Sequence, residues 1–193
     1  MPKSSTIYVA LLRGINVGGN NMVSMKSLKE SFERMGFDDV STYINSGNVL
    51  FRSDEKDPRK LEERIDRMLA KDYTLKPRTV VRSRAEMGRL LRTIAKTWKP
   101  DPQLRCNVIF LRHEIDSKSL LKDIQINPEI EAVVYCPGTL LWSAQLDALT
   151  RTAMLKLASR PIYKEMTIRN PNTTAKVFEL MERMAQQTRE RHQ

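Results

Sequence analysis

The chain has 193 residues, 40% of them hydrophobic, and its 33 basic against 23 acidic side chains give a net charge of +10. This composition excludes fibrous and low-complexity proteins, and no stretch approaches the ~20 uninterrupted apolar residues that span a bilayer. The first apolar run is short and meets Arg13 early, and two cysteines cannot form a disulfide framework, so we expect a cytoplasmic protein without a membrane partner.

The first third of the sequence predicts a strand, a helix and a β-hairpin. A strand over residues 7–12 leads into the glycine-rich loop RGINVGGNN, after which Ser24, or Ser27 in a capping box with Glu30, begins a helix. Two β-rich runs then flank Asn45-Ser46-Gly47-Asn48. This tetrapeptide is typical of a hairpin turn because Asn and Gly tolerate positive φ.

A second helix, a strand and a third helix complete this half. Asp57 followed by Pro58 is a helix start, TVVRS reads as a strand, and apolar periodicity predicts a helix from about residue 84 to 97. The segment Lys99-Pro100-Asp101-Pro102 is typical of a linker.

The second half repeats this pattern. CNVIFLR predicts a strand, residues 117–123 a short helix, and EAVVYCPGTLLWSA a hairpin turning at Pro137-Gly138. Residues 146–158 predict a helix, MTIR a strand, and Asn172 the cap of a last helix.

The two halves align element by element. YVALLR matches NVIFLR at an offset of 99 residues, SGNVLF matches PGTLLW at 91, and TVVR matches MTIR at 87. The shrinking offset places deletions in connections and helices, where they are tolerated. We therefore predict an α+β fold, a tandem repeat of two ferredoxin-like βαββαβ units each with an extra trailing helix, as domains 1–99 and 103–193.

The positive charge is concentrated in the first half. Residues 1–100 carry 20 basic and 12 acidic side chains, and eight of the cations fall within residues 76–99 beside the single carboxylate of Glu86. Such a cluster favours a nucleic-acid or other polyanionic partner, although a solubilising surface explains the same composition. The predicted nucleic-acid-binding residues are Arg82, Arg89, Arg92, Lys96 and Lys99.

The glycine-rich loop is a second candidate site. It follows a strand and precedes a helix, a setting in which backbone N–H groups and the helix dipole hold phosphate. It lacks the Gly-Lys-Ser/Thr of a P-loop and the spacing of a dinucleotide fingerprint, and a wide turn needing positive φ explains the same residues. The predicted ligand-binding residues are Arg13, Gly14, Asn16, Gly18, Gly19 and Asn20.

We expect the glycine-rich loop and the Asn45–Asn48 turn to lie at opposite ends of the sheet. This expectation takes the first and third strands to be parallel, so that the two segments cannot meet within one subdomain. A composite site would then need the second subdomain or a partner chain.

The sequence contains no identifiable catalytic constellation. His113 and His192 are its two histidines, and neither stands in a pattern that serves nucleophilic catalysis. Cys106 and Cys136 lie in apolar strand surroundings, which favours inert thiols, and no cluster has metal-ligand spacing. We expect no cofactor, and whether the chain is an enzyme stays open.

Three segments, ALLRGINVGGNN, TYINSGNVLF and TIRNPNTTAKVFEL, resemble the bacterial family catalogued as domain of unknown function 1697, from about Ile7 to Leu180. The resemblance implies an α+β fold of two similar subdomains and implies no established activity. The family has Arg-Asn-Trp-Asn-Thr near its end, whereas Pro171 stands here at the Trp position. Pro replaces a large apolar anchor with a residue that stiffens the entry to the last helix.

Three hypotheses follow from these patterns. The first, which the charge favours, is non-catalytic binding of nucleic acid or another polyanion through the basic first subdomain. The second is an enzyme or sensor for a small phosphorylated or carboxylated metabolite held by the Arg13–Asn21 loop. The third is a homo-oligomeric interaction module such as a homodimer.

Overall fold

A computed structural model gives the structure of the chain and describes residues 5–16, 22–45, 47–73 and 75–190. In the first half, the elements are β1 Thr6–Leu11, α1 Met25–Arg34, β2 Asp38–Tyr43, β3 Asn48–Ser53, α2 Pro58–Tyr73, β4 Val80–Ser83 and α3 Arg84–Thr97. The four strands form an antiparallel sheet in the order β2-β3-β1-β4. The helix predicted over residues 84–97 is confirmed.

The second half has the same order of strands. Its elements are β5 Leu104–Leu111, a 3-10 turn His113–Ile115, α4 Leu120–Asp123, β6 Glu131–Cys136, β7 Thr139–Gln145, a 3-10 helix Leu146–Arg151, α5 Ala153–Ala158, a 3-10 helix Pro161–Glu165, β8 Met166–Arg169 and α6 Pro171–Glu190. The sheet order is β6-β7-β5-β8, again antiparallel. The fold is therefore α+β with two four-stranded antiparallel sheets.

Contacts between residues divide the chain into two compact units. Unit 1 comprises Met1–Gly88 with Ala175–Gln193, and unit 2 comprises Arg89–Thr174. Each unit contains one of the two sheets. In the described parts of the chain, no helix has the length and apolar character needed to cross a membrane.

The helix starts differ in detail from the sequence prediction. The hydroxyl of Ser24 caps α1 by accepting from the Ser27 N–H at 3.4 Å, so the predicted alternative of a Ser27 cap is wrong. The cap of α6 is Asn170, not Asn172: its Oδ1 accepts from the Thr173 N–H at 2.7 Å. Pro171 is the first helical residue because its fixed φ suits that position and its missing N–H costs no helical hydrogen bond.

In unit 1, one face of the sheet packs against α1 and α2 through aromatic side chains. The Phe51 ring lies 4.5 Å from the Phe37 ring, 5.6 Å from Phe32 and 5.8 Å from Tyr8, centroid to centroid. The tyrosine hydroxyl donates to the Glu55 carbonyl at 2.9 Å. Burial of each such side chain stabilises the fold by about 1.5–3 kcal/mol. Aliphatic residues complete this core: Leu28, Val49, Leu61, Ile65, Leu69 and Val81.

In unit 2, the corresponding face is covered by shorter helices. Its core joins Ile109, Leu140 and Trp142 of the sheet to Leu120 and Leu157 of the helices. Helices α4 and α5 have four and six residues, whereas α1 and α2 have ten and sixteen. The two sheets are of similar size, so part of the second sheet receives less helical cover.

The second part of α6 completes unit 1. Arg52 is 8% exposed, and its Nη2 donates to the Met184 carbonyl at 2.9 Å and to the Thr188 hydroxyl. Arg84 Nη1 lies 2.9 Å from Glu182 Oε1. These bonds run from β3 and from the start of α3, so the α6 segment is bonded to two elements of the amino-terminal part of unit 1.

The loop after β1 and the β2–β3 turn lie at the same end of the sheet. The expectation that they lie at opposite ends is wrong because β1 and β3 are antiparallel. The crossover helix α1 makes β2 parallel to β1, and the hairpin then reverses the chain into β3. The Leu12 N–H donates to the Gly47 carbonyl at 2.8 Å, and in unit 2 the Leu111 N–H donates to the Gly138 carbonyl at 2.9 Å.

Replacing Gly47 by Ala should destabilise the fold more than replacing Gly36. At Gly47, φ is +74° and a Cβ would lie 2.7 Å from Ile15 Cδ1 and 2.8 Å from Leu12 Cβ. At Gly36, φ is +80° and the Cβ would meet nothing within 4 Å, so only backbone strain of about 1–2 kcal/mol applies. Urea titrations should show a loss of about 2–4 kcal/mol for Gly47→Ala. Equal losses for both variants would contradict this packing.

Candidate functional site

Asn16 holds the segment that follows β1. Its Oδ1 accepts from the Val23 N–H at 2.7 Å, and its Nδ2 donates to the Val23 carbonyl at 2.9 Å and to the Asn45 carbonyl at 3.0 Å. The amide therefore bonds the end of the segment after β1 to Val23 and to the β2–β3 turn. Among the predicted ligand-binding residues, Asn16 positions the loop, while Gly18, Gly19 and Asn20 lie outside the described residues.

A different side chain makes the corresponding join in unit 2. Asp116 Oδ1 accepts from the Gly138 N–H at 2.8 Å and from the Tyr135 hydroxyl at 2.9 Å. In both units, the segment that follows β1 or β5 is thus bonded to the neighbouring hairpin turn. The join occurs in both units, and the residues around it differ between them.

Arg13 and Gly14 lie at this end of the first sheet. Gly14 is exposed with φ +68°, and Arg13 is half-buried. Leu11 pairs with Val80 at the end of the β1–β4 register, and Arg13 and Arg78 each lie two residues beyond that pair. The row beyond the paired strands therefore carries two like charges.

The equivalent row of unit 2 carries an ion pair. Arg112 is 6% exposed; its Nε lies 3.4 Å from Glu165 Oε2, and its Nη2 lies 3.2 Å from Glu114 Oε1. The hydrogen bond from Arg112 lowers the pKa of Glu114 below its ordinary value. The sequence offsets place Ile15 and Arg78 where unit 2 has these two carboxylates. The aligned positions of the first half thus carry an apolar residue and a cation.

Two exposed apolar residues flank the same end of unit 1. Met22 is 75% exposed and adjoins Val23, and Ile44 is 47% exposed and adjoins Asn45. Ile44 has φ +50°, which is an outlier for a β-branched side chain. Cationic and apolar groups therefore occur together where the loop and the turn meet, an arrangement suited to a ligand with an anionic and an apolar part.

Four of the predicted nucleic-acid contacts form an exposed cationic face. Arg89, Arg92 and Lys96 are exposed along α3 at helical spacing, and Lys99 is exposed two residues after the helix ends. Within the described ranges, none of these four side chains has a hydrogen bond or ion pair. We call these four residues the α3 basic face.

Arg82 does not belong to the α3 basic face. It is 3% exposed, its Nη1 donates to the Val81 carbonyl at 2.7 Å, and the same nitrogen lies 3.8 Å from Glu62 Oε1. It pairs with Val9 in the β1–β4 register, and its guanidinium lies beside the buried carboxylate of Glu62 on α2. The charge of Arg82 therefore belongs to the interior.

Neither cysteine has the environment of a reactive thiolate. Burial raises the pKa of Cys136, and burial followed by the charge of Asp101 raises that of Cys106, so both thiols stay protonated at neutral pH. In the part of the chain that the structure describes, no three His, Cys, Asp or Glu side chains are grouped to hold a metal ion. His113 is half-buried in the 3-10 turn after β5.

Comparison with known proteins identifies the family. The model of the family described as protein of unknown function, DUF1697, matches residues 6–142. The chain belongs to this DUF1697 family. It is also similar to a solved structure of the conserved bacterial protein SP0830 from Streptococcus pneumoniae, with 27% identity, 92% of this chain and 99% of that chain covered, and a TM-score of 0.81. No curated protein matches the chain.

Sequence reasoning about this DUF1697 protein missed the contact between Asn16 and Asn45. A hairpin makes β3 antiparallel to β2, and this direction predicts that the β2–β3 turn lies beside the segment after β1. It also missed Arg78, although the offset of 87 residues between TVVR and MTIR aligns this residue with Glu165. The alignment of the halves thus contained a charge difference that inspection of the loop alone could not show.

Asn16→Ala should loosen the loop while the sheet stays folded. The variant removes the side-chain partners of the Val23 N–H, the Val23 carbonyl and the Asn45 carbonyl, which should cost about 1–2 kcal/mol. Hydrogen exchange at the Val23 amide should become about tenfold faster. Asn16→Asp keeps the acceptor and removes both donors, so protection at Val23 should fall less. Unchanged exchange in Asn16→Ala would show that another group holds the loop.

Proposed function

We propose that this protein binds nucleic acid through the α3 basic face. The observation that carries the proposal is the exposure of Arg89, Arg92, Lys96 and Lys99 without partners among the described side chains. Cations that are not neutralised within the protein attract phosphates, and binding releases the counterions condensed on the nucleic acid.

The spacing of the face fits several consecutive phosphates. Arg89 and Lys96 are seven residues apart, which on a helix is roughly 10 Å, and backbone phosphates advance about 3.4 Å per nucleotide along one strand. The four residues of the face include no aromatic side chain to stack on a base. Binding should therefore depend on the phosphate backbone and show little sequence preference.

Replacing Arg89, Arg92 and Lys96 together by Glu should weaken binding strongly. Fluorescence anisotropy with a labelled single-stranded oligonucleotide of mixed sequence should give micromolar affinity for the unmodified protein at low salt. Removing three phosphate contacts should reduce the slope of log K against log salt concentration by about 2.

A second charge reversal on α2 is the matched control. Arg59, Arg67 and Lys71 are also exposed, and their replacement by Glu changes the net charge by the same amount. This control should retain most of the affinity and its salt slope. The α3 basic face is not the binding surface if the unmodified protein does not bind at low salt. The same follows if the α3 variant and the α2 variant lose affinity equally.

A second candidate function is binding of a small anionic metabolite at the loop end of unit 1. The observation that favours it is the row of Arg13 and Arg78, where unit 2 has the Arg112–Glu165 ion pair. An anion bound at this end of unit 1 would meet the positive charges of both arginines. Met22 and Ile44 would contact the apolar part of the same ligand.

A thermal-shift screen of nucleotides, sugar phosphates and carboxylates tests this second candidate. A ligand at a hundred times its dissociation constant stabilises the fold by about 2.7 kcal/mol, and Arg13→Ala should remove the shift. Arg78→Glu, which rebuilds the charge pair of unit 2, should also remove it. A shift that survives both variants, or no shift with any compound, would count against this site.

We also propose that the two halves are copies of one ferredoxin-like βαββαβ unit with a trailing helix. The support is the shared order of strands, β2-β3-β1-β4 and β6-β7-β5-β8, with antiparallel pairing throughout. The repeat boundaries at 1–99 and 103–193 belong to this proposal. The copies differ in the length of the helices that pack on each sheet. They also differ in the charges that follow β1 and β5.

A further inference from the structure

An open groove of about 480 Å³ lies on the sheet face of unit 2. Its apolar lining comes from Trp142 of β7, Leu149 of the following 3-10 helix, Leu155 of α5 and Tyr163. Leu155 is 60% exposed although it is a large apolar residue. The volume falls within the range of small-molecule sites, which are mainly apolar with a few placed polar groups.

The groove exists because the sheet of unit 2 lacks an aromatic side chain and the longer helices that cover the sheet of unit 1. At the aligned place in unit 1, Tyr8 stacks on Phe51 with centroids 5.8 Å apart. Asn107 stands at the Tyr8 position and Trp142 at the Phe51 position, paired in the β5–β7 register. A small amide therefore replaces an aromatic ring, and the shortened helices do not fill the space.

Trp142 is fixed in its orientation. Its indole N–H donates to Glu131 Oε2 at 2.7 Å, while Glu131 Oε1 accepts from the backbone N–H groups of Asn127 at 3.1 Å and Ala153 at 2.7 Å. Both carboxylate oxygens are thus occupied within the protein. A ring held in place before binding reduces the entropy cost of forming a complex.

A cation lies at one end of the groove. Arg105 lines the groove and is exposed, two residues before Asn107 on the same face of β5. Over the described ranges its side chain has no ion pair or hydrogen bond. Glu131 lies in the same row across β7, and its oxygens are held by the three N–H donors. The guanidinium is therefore available for a planar anion, which it can bind with two parallel hydrogen bonds.

We propose that this groove binds a small aromatic carboxylate. The flat ring lies against Leu155 and against the small part of Trp142 that faces the groove, since Trp142 is 3% exposed, and the carboxylate pairs with Arg105. The ligand is a single small molecule, since the groove holds one ring system and one exposed cation. This site uses none of the residues of the α3 basic face or of the loop end of unit 1.

The test compares 1-naphthoate with its neutral analogue 1-naphthalenemethanol on the full chain. The indole N–H signals of Trp142 and Trp98 are followed by NMR, with Trp98→Phe to assign them. Naphthoate should shift the Trp142 signal with a dissociation constant below about 1 mM, leave Trp98 unmoved, and bind about tenfold more tightly than the alcohol.

Two surface variants separate the ring from the charge. Arg105→Gln should weaken naphthoate about tenfold and change the alcohol by less than about twofold, whereas Leu155→Ser should weaken both. Arg151→Gln, an exposed arginine outside the groove lining, is the matched control and should change neither. The Arg89, Arg92 and Lys96 triple variant should also leave naphthoate binding unchanged.

Three results would overturn the proposal. The first is an unmoved Trp142 signal at naphthoate concentrations up to about 5 mM. The second is binding that is indifferent to both Arg105→Gln and Leu155→Ser. The third is equal affinity for naphthoate and its alcohol, which would remove the carboxylate from the ligand class. None of these results depends on whether the protein binds nucleic acid.

Discussion

Strands β1 and β5 are each bonded on both sides to antiparallel neighbours. This pairing determines which residues lie at the carboxyl ends of β1 and β5. Beyond β1, the Leu12 N–H bonds the Gly47 carbonyl, and beyond β5 the Leu111 N–H bonds the Gly138 carbonyl. The hairpin turn and the segment after the central strand must therefore be neighbours. In unit 1 this constraint brings Asn16, the turn that contains Ile44 and two arginines to one end of the sheet.

The differences between the two halves are more informative than their common frame. Asn16 in one half and Asp116 in the other make the same join with opposite hydrogen-bonding roles. A like-charge row in unit 1 replaces an ion pair of unit 2, and an aromatic stack of unit 1 is missing beside Trp142. The last two differences change the charge at one end of the unit 1 sheet and the side chains that cover the unit 2 sheet.

Local patterns in the sequence predicted the elements well and their relative directions poorly. Apolar periodicity predicted α3 and the exposure of Arg89, Arg92 and Lys96, because helix faces follow directly from spacing. The burial of Arg82 was not predictable from charge alone, since it depends on which sheet face β4 turns inward. The groove was missed because it arises where helices and an aromatic side chain do not cover the second sheet. Two differences between the halves pointed to it: the shorter helices of the second half and Asn107 in place of Tyr8.

The bonds from Arg52 to Met184 and Thr188 join residues more than 130 positions apart. Unit 1 begins with the earliest strands of the chain, yet it is completed by residues 175–190. During synthesis from the amino end, its sheet must therefore wait for nearly the whole sequence before this part of its surface is covered. Loop closure over such a distance slows folding, so the emerging chain carries an unfinished first unit while the second is being made.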